Sequence, residues 1–192
     1  FKAMSKGLRA SVLRVGQLTG RYSDGHFQIN IDTNAFYNKI RAMIKIGAIP
    51  DNIIDQSMEL TPVDYCSKAM VLLCSMEEAA GRVFHVYNHN TVSLKYLLDV
   101  AGELNIAYVK AIDKASFNQY VRAILDDKNS RDFLIRVIDD FSDNELRYEE
   151  FSILDSRITQ GCLRQIGFEW PGIDKRYVSS ILTYMNRVGF LD

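Results

Sequence analysis

The sequence predicts an α/β fold in which part of a parallel sheet is followed by a mostly helical lobe. Two short apolar segments, residues 11–15 and 83–86, have the length and composition of buried strands. Two amphipathic helix patterns lie between them, and strands joined through helices pair in parallel. From about residue 91 the apolar periodicity becomes mainly helical. We therefore expect two units, with residues 1–90 forming the sheet part and residues 91–192 the helical lobe.

The first predicted strand is apolar except for Ser11 at its edge and Arg14 inside it. In a buried strand this guanidinium must find several acceptors or face a ligand, because an unpaired buried charge is costly. The strand leads through Gly16 into a polar loop that ends at Asn34. Loops at the carboxyl ends of parallel strands carry binding sites in α/β folds. This loop is therefore the candidate site.

Two helices are predicted after the loop. The first begins at the N-cap candidates Thr33 and Asn34 and ends at Gly47. Its apolar stripe consists of Phe36, Ile40, Met43 and Ile44. The second begins at Pro62, since proline is tolerated at the first helical position.

The second half of the chain predicts one short strand among several helices. The strand lies at residues 107–113, and the aromatic residues Trp170, Tyr184 and Phe190 are assigned to packing. Amphipathic helices with polar caps or glycine stops are predicted over residues 91–105, 113–127, 130–142, 155–168 and 172–190.

Composition excludes several classes of protein. A net charge of −1 gives no broad attraction for nucleic acid or for an anionic membrane, and no apolar run approaches the roughly 20 residues of a membrane span. The three cysteines lack metal-ligand spacing, so buried free thiols in a reducing compartment are expected. A cytoplasmic protein without a metal site is expected for the same reason. The opening residues resemble the last turns of a helix, which favours a piece of a longer protein.

The motifs of a self-sufficient active site are absent from the sequence. No glycine-rich phosphate-binding loop follows a strand, and no Tyr-x-x-x-Lys pair is present where a reductase needs one. Tyr37 and Arg41 are one helical turn apart and are interpreted as a surface pair. We therefore assign no catalytic residue in this chain.

Several short motifs nevertheless follow one another in a specific order: LRVGQLTGR, DGHFQINIDTNAFYNKI, GAIPD, ELTPVD, FHVYN and LRQIGFEWP. Together they resemble the C-terminal portion of thioester reductase domains. These are extended short-chain dehydrogenase/reductases of nonribosomal peptide synthetases and of carboxylic acid and aminoadipate reductases. The family's strand motif is close to R-x-G-N-L-x-G-R, and Gln17 stands here in place of the usual asparagine. The likeness is strongest over residues 12–90.

The resemblance implies a Rossmann-like sheet followed by a helical substrate-binding lobe. The full domain would bind NADPH and reduce an acyl or peptidyl thioester, held on a phosphopantetheinyl carrier protein domain, to an aldehyde or alcohol. The family's glycine-rich loop and Thr-Tyr-Lys set would precede residue 1. This chain alone is therefore expected to be inactive and to bind no NADPH. Self-association through an exposed sheet edge is a further expectation.

The resemblance also implies two sets of site residues. The segment expected to approach the nicotinamide end of the cofactor comprises Val15, Gly16, Gln17 and Leu18. The residues expected at the mouth of the cleft, near the substrate or the pantetheine amides, are Arg21, His26, Gln28, Asn30 and Asn34. The lobe from about residue 91 would close over the acyl chain and face the carrier protein.

Two alternatives to the reductase interpretation stay open. One is a non-catalytic module that binds a carrier protein or an acyl group. The other is a piece of a different extended reductase, such as a nucleotide-sugar epimerase or dehydratase. Such an enzyme would need basic side chains for a diphosphate, for which the lobe offers Arg122, Arg131 and Arg136. These arginines are scattered along the sequence, so the thioester reductase interpretation is favoured.

Overall fold

A computed structural model describes residues 2, 4–125 and 156–191 of the chain. The strands are β1 (Val12–Val15), β2 (Leu18–Thr19), β3 (Ala48–Pro50), β4 (Ser57–Met58), β5 (Thr61–Pro62), β6 (Val83–Val86), β7 (Val92–Ser93) and β8 (Lys110–Ile112). The helices are α1 (Ala35–Ile46), α2 (Val63–Cys74), α3 (Leu94–Glu103), α4 (Lys114–Leu125), α5 (Arg157–Gln165) and α6 (Lys175–Arg187). The helix predicted over residues 130–142 lies outside the described residues, as do Arg131 and Arg136.

The predicted α/β fold class is confirmed. Strand β1 pairs in parallel with β6, and Val15 lies opposite Val86. Helices α1 and α2 connect these two strands, as parallel pairing requires. Three shorter pairs complete the strand pattern of the described residues: β2 with β5 and β3 with β8 in parallel, and β4 with β7 antiparallel.

Helix α1 begins and ends where its sequence predicts. The side chain of Asn34 accepts a hydrogen bond from Tyr37 N at 3.2 Å, and Gly47 ends the helix with a φ of 69°. That left-handed conformation favours glycine. Tyr37, however, is fully buried, so its interpretation as part of a surface pair was wrong. Its hydroxyl lies in a buried hydrogen-bond network, a position that periodicity alone does not reveal.

Two hydrophobic clusters form the core. The first joins α1, α3 and α6, and includes Ile40, Leu97 and Ile181. The second joins α2, β6 and α5, and includes Leu73, Phe84 and Leu163. Trp170, Tyr184 and Phe190 are buried in these clusters, which confirms their packing role. Both clusters combine residues from before and after residue 90, while the division of the chain at that residue stays a prediction.

Strand β1 is less buried than its sequence predicts. Arg14 is exposed and Val15 is 43% exposed, so the guanidinium needs no buried acceptors. Within the described residues β1 pairs only with β6, and its remaining edge is open.

The expectation of buried thiols holds for Cys66 and Cys162, but Cys74 is exposed. In the described part of the chain, no helix has the length and apolar character needed to cross a membrane.

Candidate functional site at the carboxyl ends of β1 and β6

The candidate site is built around Gly16, immediately after β1. Gly16 N donates a hydrogen bond to Val86 O at 3.0 Å, which ties the carboxyl ends of β1 and β6 together. A Cβ atom on residue 16 would overlap Glu59 Oε1 and Tyr87 Cβ. Glycine is therefore required where these three segments meet.

Glu59 connects this turn to the neighbouring strands. Its Oε1 accepts hydrogen bonds from Gln17 N at 2.8 Å and from the Thr61 hydroxyl at 2.5 Å. The Thr61 hydroxyl in turn accepts from Asn88 N at 2.9 Å. Thr61 and Asn88 are both fully buried. The segments that follow β1 and β6 are thus joined through one carboxylate oxygen.

The surroundings of Glu59 shift the pKa values of two side chains. Burial raises the pKa of the Glu59 carboxyl, while the bonds from Thr61 and Gln17 partly oppose that rise. Burial, with a smaller contribution from the charge of Glu59, raises the pKa of the Cys66 thiol to about 11. The thiol is therefore protonated at neutral pH and is a poor nucleophile.

The loop that follows is held by two buried tyrosines. Gly20 N donates to the Tyr37 hydroxyl at 2.8 Å, and the Tyr177 hydroxyl donates to Gly20 O at 2.7 Å. The Thr19 hydroxyl lies 2.7 Å from the same Tyr177 oxygen. Thr19 is the donor there, because the Tyr177 proton is already committed to Gly20. Burial raises the pKa of both tyrosines above the ordinary value, so both hydroxyls stay protonated.

Further along, the loop packs directly against α6. Gly25 has a φ of 70°, and a Cβ there would overlap the backbone of Ser180. Tyr22 N donates to the carboxylate of Asp64 in α2 at 3.0 Å, and the Tyr184 hydroxyl donates to Phe27 O at 3.0 Å. Side chains from α1, α2 and α6 therefore fix the backbone of residues 20–27. This part of the polar loop is therefore held in place by the helices.

The structure places the predicted cofactor segment at the meeting point of the strands. Val15 and Gln17 are exposed, whereas Gly16 is half-buried and Leu18 packs partly against both core clusters. The N–H groups of Gly16 and Gln17 are both engaged within the chain, with Val86 O and Glu59 Oε1. These two N–H groups are therefore not free for a ligand, which would instead contact the exposed surface of Val15 and Gln17.

The five predicted substrate-facing residues lie along the loop in different surroundings. Arg21 forms an exposed two-pronged ion pair with Asp24, with nitrogen–oxygen distances of 2.6 and 3.1 Å; this arginine lowers the pKa of the Asp24 carboxyl. The His26 ring lies 4.9 Å from the Tyr184 ring, measured between centroids. Gln28 and Asn30 are exposed.

Asn34, the fifth of these residues, confirms its prediction as a helix cap, while its role toward the substrate stays a prediction. Its side-chain oxygen caps α1, so this oxygen is already occupied. We expect Asn34→Ala to lower the free energy of unfolding by about 1 kcal/mol, because a helix N–H loses its acceptor. Asn34→Asp, which keeps an acceptor, should restore most of that stability in urea denaturation. Equal losses for both variants would contradict the capping role.

Sequence reasoning missed Glu59 and Tyr177 as site residues. Glu59 lies inside the ELTPVD motif, which could have identified it. Tyr177 gives no such signal, because its spacing in α6 is that of any core residue.

Away from this site, a shallow pocket of about 200 Å³ is lined by His89, Gln160, Leu163, Arg164, Phe168, Glu169 and Trp170. In the part of the chain that the structure describes, no group of three or more His, Cys, Asp or Glu side chains is arranged to hold a metal ion.

Fold and site together define a Rossmann-like α/β protein with its candidate site at the carboxyl ends of parallel strands. No protein-family model matches the chain. Among solved structures, a thiolation-reductase di-domain from an archaeal nonribosomal peptide synthetase matches all of this chain with a TM-score of 0.82 and 28% identity. The match covers 39% of that structure. The predicted resemblance to the reductase domains of nonribosomal peptide synthetases is confirmed.

Two curated proteins give the same result at the level of sequence. A linear gramicidin synthase of Brevibacillus parabrevis is 23% identical over 98% of this chain. L-2-aminoadipate reductase of Saccharomyces cerevisiae is 24% identical over 99% of it. The chain spans only 4% and 14% of the length of these two proteins.

Proposed function

We propose that this chain is the C-terminal part of an NADPH-dependent thioester reductase, which releases a carrier-bound acyl or peptidyl thioester as an aldehyde or alcohol. The observation that carries the proposal is the match to a thiolation-reductase di-domain over the whole chain. That di-domain joins a carrier and a reductase in one protein. A phosphopantetheinyl carrier protein domain is accordingly the proposed partner.

The segment after β1 is proposed to border a nicotinamide cofactor. Gly16 lets the backbone after β1 approach Glu59 and Tyr87 closely, and Val15 and Gln17 present an exposed edge beside it. When bound, NADPH would supply the hydride for thioester reduction. In this proposal Val15, Gly16, Gln17 and Leu18 form one wall of its site, and the glycine-rich loop and Tyr/Lys pair come from sequence outside this chain.

The loop of residues 20–34 is proposed to form the cleft mouth. The five residues proposed to face the substrate or the pantetheine arm are Arg21, His26, Gln28, Asn30 and Asn34. The backbone of residues 20–27 is fixed by its bonds to three helices, so that little entropy is lost there on binding. The exposed edge of β1 is proposed to pair with a further strand of the intact sheet, or with another copy of the chain when that strand is missing. We further propose a cytoplasmic location for the protein.

The test is a reductase assay on the intact polypeptide that contains this chain. With a carrier-linked thioester, NADPH should be consumed only when carrier, thioester and enzyme are all present, and an aldehyde or alcohol should accumulate. The matched control is residues 1–192 alone, for which we expect no saturable NADPH binding by fluorescence titration. NADPH consumption that does not depend on the thioester would contradict the proposed activity. Saturable binding by residues 1–192 would contradict their proposed incompleteness.

A further inference from the structure

We propose that Glu59 binds a ligand amide N–H through Oε2, while Oε1 holds the turn after β1 in place. This inference rests on the proposed function, and it concerns a residue that the resemblance did not assign. The amide belongs either to the nicotinamide carboxamide or to the pantetheine arm. Both are N–H donors, and a carboxylate oxygen is a strong acceptor for them.

The two oxygens of Glu59 have different surroundings. Oε1 accepts from Gln17 N and from the Thr61 hydroxyl, so it is committed to the protein. Oε2 accepts no hydrogen bond from any described residue. It is not among the polar atoms that are both buried and without a partner. One oxygen is therefore fixed in the structure while the other remains open to a ligand.

The position of Oε2 follows from the contacts of Oε1. Gly16 and Gln17 lie directly against this carboxyl group at the carboxyl end of β1, where ligands bind in open α/β sheets. The N–H groups of these two residues are already bonded within the chain. Glu59 thus supplies a free acceptor at an edge whose nearest backbone donors are occupied.

The fixed oxygen also sets the direction of the carboxyl group. The Gln17 side chain donates to Glu59 O at 3.1 Å, and Thr61 N donates to Gln17 O at 3.0 Å. These bonds hold the backbone on both sides of the carboxyl group. Oε2 is therefore oriented before any ligand arrives, and an oriented acceptor loses little entropy on binding.

The test compares Glu59→Gln with Glu59→Ala in the intact reductase. Gln keeps an oxygen for Gln17 N and the Thr61 hydroxyl but places an NH₂ group where Oε2 was, so two donors would face each other. We expect Glu59→Gln to keep the wild-type melting temperature and to weaken the binding of the amide-bearing ligand about tenfold or more. Glu59→Ala removes both oxygens and should lower the melting temperature as well. Glu77→Gln, an exposed change before the amino end of β6, is the charge-matched control and should change neither quantity.

Two binding measurements distinguish the source of the amide. One outcome is that Glu59→Gln raises the Kd for NADPH but not the Kd for a cofactor analogue in which an acetyl group replaces the carboxamide. That outcome would assign the bond to nicotinamide. An unchanged Kd with a raised KM for the carrier-linked thioester would assign it to pantetheine.

The results that overturn each claim differ. If wild-type reductase binds NADPH and Glu59→Gln matches it in Kd, KM and melting temperature, Oε2 binds no ligand amide, and Glu59 only holds the turn. If the wild-type protein binds no NADPH at all, the proposed function itself fails.

Discussion

Gly25→Ala is expected to lower the free energy of unfolding by about 2 to 4 kcal/mol. Gly25 has a φ of 70°, which alanine adopts only with strain, and its Cβ would overlap the backbone of Ser180. Backbone atoms in the middle of α6 cannot move aside as a flexible side chain can. The loop or the helix must shift instead, and chemical denaturation would measure the cost.

Gly47→Ala is the matched control for this prediction. Gly47 has nearly the same φ, 69°, but a Cβ there would meet nothing within 4 Å. Its substitution should cost about 1 kcal/mol, from the left-handed conformation alone. The difference between the two variants isolates the contact between loop and helix. Equal losses would mean that Gly25 does not need its close approach to α6.

Tyr177→Phe is expected to cost about 2 to 3 kcal/mol, although it removes a single oxygen atom. The Tyr177 hydroxyl donates to Gly20 O and lies 2.7 Å from the Thr19 hydroxyl. Tyr177 and Thr19 are fully buried, so no water replaces the lost partner. Gly20 O loses its donor, and the Thr19 hydroxyl loses its acceptor. Thermal and urea unfolding would measure the loss.

Tyr108→Phe removes a hydroxyl of the same kind from the surface. Tyr108 is 74% exposed, and its hydroxyl donates to Asn105 at 2.9 Å. Water can replace that bond, so we expect a change within about 0.5 kcal/mol. A loss for Tyr177→Phe no larger than this control would show that the buried network contributes little.

Features that depend on neighbouring residues were predictable from the sequence. Helix α1 has its cap, its stop and its apolar stripe within one short segment, and the structure confirms all three. The strands β1 and β6 each have enough apolar residues to be recognised. By contrast, β2, β4, β5 and β7 have two residues each, which is too few to show an alternating pattern.

Features that depend on distant partners were not predictable. The exposure of Arg14 follows from which strands flank β1, and no pattern within the strand carries that information. Tyr37 is buried against the distant loop after β1, where Gly20 N donates to its hydroxyl and the Phe27 ring lies 4.6 Å from its own ring. Glu59 lies within a recognisable motif, but its role depends on the approach of Gly16 and Asn88 from two other segments.

The loop after β1 is held in place by α6, a segment that is translated much later. Tyr177 and Tyr184 each bond to loop carbonyls 157 residues earlier in the chain. At the usual rates of protein synthesis, roughly 8 to 30 s separate the translation of the two partners. During that interval Gly20 and Phe27 have neither of these hydroxyls. The candidate site therefore cannot be completed during synthesis until α6 has left the ribosome.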